Sequence, residues 1–157
     1  MATSESDIEF AVLRTALAGL HRQDHDSTDW AAAARTLRLN ARAFTNQFPS
    51  DPRGLELEAT LSMRLEEDQA VDSAFAQLLR LAPKKTTAGL AWTDYWMARD
   101  EAHAFEVLES LIEQRPDAML YLDRLFRILA TKDPQRLIKR FQHLGSPEGD
   151  IDQCSHE

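Results

Sequence analysis

Residues Pro83 to Pro116 read PKKTTAGLAWTDYWMARDEAHAFEVLESLIEQRP and decide the fold. A short helix-forming run ends near Arg99. Asp100 is a good N-cap for a second run, and Pro116 closes it. The preceding helix-ending proline, Pro49, lies 34 residues before Pro83, and Pro116 lies 33 residues after it. A proline that closes an amphipathic run at this interval marks a helical repeat.

The neighbouring runs follow the same plan. Ser6 with Glu9 fits a capping box for a first helix from about Asp7, with Ile8, Val12, Leu13, Ala16, Leu17 and Leu20 as its apolar stripe. In the second, Trp30, Ala34, Leu37, Ala41, Phe44 and Phe48 share one face, Ser27 or Thr28 caps, and Pro49 ends the run. Ser50 or Asp51 caps a third helix carrying Leu57, Leu61 and Leu65. Asp68 caps a fourth carrying Val71, Ala74, Phe75, Leu78 and Leu79.

In the fifth, Leu90, Ala91, Tyr95 and Ala98 point inward. The sixth carries Ala104, Phe105, Leu108, Leu111 and Ile112. Asp117 caps a seventh with Leu122, Leu125, Phe126 and Leu129. Thr131 or Asp133 opens an eighth with Leu137, Ile138, Phe141 and Leu144, and Gly145 is its stop. The reading is one all-α domain over 1–144, eight helices in four antiparallel hairpins (about 7–48, 50–82, 86–115 and 117–144). An acidic flexible tail follows over 145–157.

Composition agrees. There are 22 Ala and 21 Leu against 3 Val and 5 Ile, which favours helix over strand. The net charge of −8 argues for solubility and against non-specific binding to nucleic acid. Residues 115–143 nevertheless carry seven Lys/Arg against three acids, so the rest of the chain carries −12. The single cysteine, Cys154, excludes an internal disulfide. No signal peptide or membrane span is read, and a cytoplasmic location is expected.

The pattern resembles the tetratricopeptide repeat. Phe75 and Pro83 match the large residue and terminal proline of that family's second helix. Tyr95, Ala104 and Pro116 match its tyrosine, small alanine and proline. The family's Trp-x2-Leu-Gly signature is missing, so the repeats are degenerate. The resemblance implies a right-handed α-solenoid whose first helices line a concave, peptide-binding face. That face would include Arg53, Glu56, Thr60, Met63, Gly89, Thr93, Trp96, Met97, Tyr121, Arg124 and Arg127. Where some members hold a Lys/Asn clamp for a terminal carboxylate, this chain has Glu56, Thr60, Gly89 and Thr93, against a chaperone-tail clamp.

Two groups stand out as ligand candidates. Trp92, Tyr95 and Trp96 give a short helix more rings than its inward face can hide, so one ring, Trp96, is expected to be partly exposed as an anchor. The alternative is packing between adjacent repeats. Arg124 and Arg127, one turn apart and near Tyr121, suit carboxylates or phosphates. Their alternative, shared with Arg136, Lys139, Arg140 and His143, is a solvated face capping the end of a solenoid.

His21, Asp24, His25 and Asp26 look metal-like, but the glutamate of a metalloprotease pattern is missing between the histidines. His103 with Glu106 and Asp94 with Asp100 offer acid/base groups with no nucleophile beside them. Neither a phosphate loop nor a nucleophile elbow occurs. The expectation is a non-enzymatic module without a cofactor, binding an acidic protein or peptide. The alternatives are an assembly subunit stacking through its ends, a homo-oligomer among them, or an RNA-binding repeat.

Overall fold

The computed structural model describes residues 3–145, with side chains through Gln142. The chain forms α1 (Glu5–Leu20), α2 (Thr28–Gln47), α3 (Arg53–Arg64), α4 (Asp68–Leu81), α5 (Thr86–Met97), α6 (Glu101–Gln114), α7 (Met119–Lys132) and α8 (Pro134–Gly145). The fold is all-α, with no strand among the described residues. None of the described helices is long and apolar enough to cross a membrane. The tail expected from 145 onward, with Cys154, lies outside the described residues, as do the side chains of His143 and Leu144.

Local chemistry sets several boundaries. Ser27 accepts from the Trp30 amide at 3.1 Å, Asp100 from the His103 amide at 3.2 Å and Asp133 from the Arg136 amide at 3.0 Å. Asp100 is the expected cap, and Ser27 and Asp133 are each one of the two residues expected at their helix. The first helix begins earlier than expected: Ser4, not Ser6, is the N-cap, and its capping box closes on Asp7. Asp117 does not cap α7; its carboxylate is held by Arg115 at 2.7 and 2.8 Å. Asp68 does not cap α4 either, since that N-cap is Glu67 with no side-chain hydrogen bond.

Consecutive helices pack on one another, and α5 also packs on α7. The core is a succession of clusters. One joins α1, α2 and α3 through Leu13, Trp30, Leu37, Phe44 and Leu61. A second joins α3 and α4 through Leu55, Ala59, Val71 and Phe75. The third joins α5, α6 and α7 through Trp96, Leu108, Leu111, Tyr121 and Leu125. Trp92 and Tyr95 border both of the last two clusters. Close approach at α2–α3 needs Gly54, where a Cβ would stand 2.3 Å from Thr45 Oγ1 and 3.0 Å from the Ala41 carbonyl.

Two expected faces are corrected. On α5 the buried stripe is Gly89, Thr93 and Trp96; Leu90, Ala91 and Tyr95 are half-buried, and Ala98 is exposed. On α1, Leu13 and Leu20 are buried, whereas Ile8 and Val12 are 58 % and 65 % exposed. In both cases packing geometry overrode the count of apolar residues. α5 turns its one glycine, Gly89, inward, where Tyr121 of α7 comes close. α1 meets α2 along one side only, and that side is Phe10, Leu13, Leu17 and Leu20.

Candidate functional site

The three rings of α5 are held by two aspartates one turn apart on α4. Trp92 Nε1 and Trp96 Nε1 both donate to Asp72 Oδ1, at 2.7 and 2.8 Å. The Tyr95 hydroxyl donates to Asp68 Oδ1 at 2.6 Å. α4 and α5 pack on one another, and Trp92 and Trp96, one turn apart on the same face of α5, converge on the single carboxylate of Asp72. Buried indole and phenol groups need such partners, and here a carboxylate supplies them.

Trp96 is therefore not an exposed anchor. It is 8 % exposed, in contact with Tyr95 edge-on at 5.4 Å and His103 at 4.4 Å. Trp92 and Tyr95 are half-buried, with the Trp92 ring stacked on Phe75 at 5.9 Å. Burial and the hydrogen bond to Asp68 push the Tyr95 phenol up to about 12. The Arg99 guanidinium lies over the Tyr95 ring at 5.1 Å and reaches Asp68 at 3.2 Å.

His103 completes this seam. Its Nε2 lies 3.0 Å from Asp72 Oδ2 and its Nδ1 lies 3.3 Å from Glu106 Oε2. Both neighbours can only accept, so the imidazolium satisfies both contacts. Burial opposes the charge, yet the hydrogen bonds to Asp72 and Glu106 outweigh it and hold His103 above its ordinary value. Neither ring nitrogen is left to serve as a base toward a substrate, and Asp72 already accepts from two indoles. The arrangement reads as a structural clamp joining α4, α5 and α6.

Tyr121 is not a groove residue. It is 1 % exposed, and its phenol lies against Gly89. Its hydroxyl has no hydrogen-bond partner, and burial pushes its pKa up. Gly89 and Thr93, also expected on the open face, are buried with Trp96 on the same side of α5.

Arg124 and Arg127 do face outward. Arg124 bonds Asp94 on α5, and Arg127 pairs with Asp123 within α7 at 2.9 Å. Leu120 stands one turn before Arg124 and is 51 % exposed; Met119 is 69 % exposed. The structure thus separates the expected site. Arg124 and Arg127 share a surface with Leu120, while the aromatic residues belong to the interior seam.

Much of the basic character of 115–143 is answered within the fold. Arg115 pairs with Asp117, Lys132 with Glu101, and Arg136 and Arg140 share Glu109 at 3.1 and 3.2 Å. Among the histidines read as metal-like, His25 packs on Trp30 at 4.8 Å. No group of three or more His, Cys, Asp or Glu among the described residues is placed to hold a metal ion.

Comparison with known proteins gives no matching family model, no matching curated protein and no matching solved structure. The residues that sequence reasoning missed are Asp68 and Asp72. Their signal was present: acids four apart on α4 stand opposite a helix with three polar-tipped rings, Asp72 answering both Trp92 and Trp96 and Asp68 answering Tyr95.

Proposed function

We propose that this chain is a protein-interaction module: four helix hairpins stacked as a right-handed solenoid of degenerate, tetratricopeptide-like repeats, binding an acidic peptide on the outward face of α7. The stacking is supported by the core, in which each cluster links helices next to one another in sequence. Contact between α5 and α7, alternate elements of the chain, is what adjacent first helices of two hairpins require.

The observation that carries the binding reading is the α7 surface. Leu120 is 51 % exposed in line with Arg124 and with Arg127, whose side chain is 76 % exposed. An apolar side chain followed along the helix by two guanidinium groups fits a ligand with an apolar residue beside carboxylates. The present partners, Asp94 and Asp123, are exchangeable, because exposed ion pairs contribute only about 0–1 kcal/mol. The aromatic seam behind α5 acts here as a rigid support.

Selection of displayed peptides against the immobilised chain tests this. Enriched sequences are expected to combine Asp or Glu with an apolar residue at one side of them, and Arg124→Glu with Arg127→Glu should abolish their capture. Enrichment that survives the double substitution sinks the reading.

A further inference from the structure

The terminal hairpins each leave an apolar surface uncovered. On α2, Ala33, Thr36, Asn40, Ala43 and Gln47 recur at intervals of 3, 4, 3 and 4, so they share one face. On α1, Val12, Ala16 and Gly19 face the same valley. The small residues keep it open: a Cβ built at Gly19 meets nothing within 4 Å. Its floor is the apolar side chains Leu13, Leu37 and Phe44. The α2 stripe spans 15 residues, about 22 Å at 1.5 Å per residue.

At the other end of the chain, α8 packs on α7 and turns Leu137 toward the core. Ile138 and Phe141, three apart, remain 48 % and 52 % exposed. α8 is 12 residues long, about 18 Å, which fits within the valley. Charge matches as well. α8 contains Arg136, Lys139 and Arg140 and no acid, and one carboxylate, Glu109, answers two of those arginines. The start of α1 carries Glu5, Asp7 and Glu9, and Glu9 lines the valley.

We propose that the α1–α2 valley receives α8 of a second copy of this chain, with Ile138 and Phe141 on the valley floor and the basic side of α8 against the acidic start of α1. The two surfaces differ, so the contact is head-to-tail: it propagates into open chains unless its rotation closes a ring. A helix laid in an apolar groove is a recurring recognition mode, with anchors one turn apart. The inference is independent of the α7 surface, which neither partner of the contact uses.

Light scattering of the 157-residue chain from micromolar to millimolar concentration is the test. The wild-type mass should climb past that of two copies and fall back as salt is raised. Val12→Glu spoils the valley, and Phe141→Glu or Ile138→Glu spoils α8. All three positions are exposed, and circular dichroism checks that each variant keeps its helices. Each variant alone should stay monomeric. Val12→Glu mixed with Phe141→Glu should form one-to-one pairs and nothing larger, because one intact valley and one intact α8 remain. A wild type monomeric throughout overturns the proposal, as does self-association that the variants leave unchanged. Single variants that are monomeric and stay so when mixed overturn it too, since they indicate a symmetric contact.

Discussion

The phenol of Tyr121 rests on the bare backbone of Gly89: a methyl group at Gly89 would stand 2.3 Å from the tyrosine oxygen and 2.8 Å from its ring carbons. This contact joins α7 to α5. It explains why a glycine is kept inside a helix, where it costs about 1 kcal/mol relative to alanine. It also leaves the Tyr121 hydroxyl buried without a partner.

Two substitutions at this contact should move stability in opposite directions. Gly89→Ala gains helix propensity but forces Tyr121 aside, and overpacking costs about 1–3 kcal/mol, so the net change is a loss. Tyr121→Phe removes an unsatisfied hydroxyl and should be neutral or stabilising by about 1 kcal/mol. Urea titration of both variants reads the signs. A destabilised Tyr121→Phe would mean that the hydroxyl has a partner in solution.

Asp72 should be the most sensitive polar side chain of the fold. It accepts from Trp92, Trp96 and His103 together. Asp72→Ala strands two indole N–H groups, each costing about 1–3 kcal/mol when buried. Because Trp92 is only half-buried, a total of about 2–4 kcal/mol is expected. Tryptophan fluorescence should shift to the red in the variant; an unchanged spectrum and midpoint would contradict the clamp.

The clamp should also give stability a pH dependence. His103 titrates higher in the folded chain than in the unfolded one, so its contribution is complete below the unfolded value of about 6.5 and is lost as pH rises through the folded value. The groups facing it are Asp72 from α4, the Trp96 ring from α5 and Glu106 from its own helix. The melting temperature should drop between pH 5.5 and pH 8.5 by more in the wild type than in His103→Gln. An NMR titration placing His103 at or below 6.5 would remove the basis of this expectation.

Glu58 offers a test of a buried charge. Only 4 % exposed on α3, it accepts from Arg42 Nε of α2 at 3.1 Å. Arg42→Ala leaves that carboxylate without its cation. The side chain of Arg42 is 56 % exposed, so the cost should be about 2–3 kcal/mol, below that of a fully buried pair. Arg42→Leu combined with Glu58→Met should recover most of the loss. A double variant no more stable than Arg42→Ala would show that Glu58 serves something other than this pair.

Local signals are enough to place the eight helices of the described residues. Proline spacing, the caps Ser27, Asp100 and Asp133 and the long stripe from Trp30 to Phe44 are local signals, readable because capping and periodicity act over a few residues. Packing between helices set which way the short helices turn. α5 offers apolar or small side chains on nearly every side, so counting could not choose between Leu90–Tyr95–Ala98 and Gly89–Thr93–Trp96. The choice fell to partners distant in sequence: Tyr121, which needs the space at Gly89, and Asp68 and Asp72, which draw in the polar tips of the rings. The same holds at the ends. α1 is covered on one side only, by α2 and α3, so Ile8 and Val12, apolar in sequence, stand in the open, and hydrophobicity alone does not say which residues those neighbours will cover.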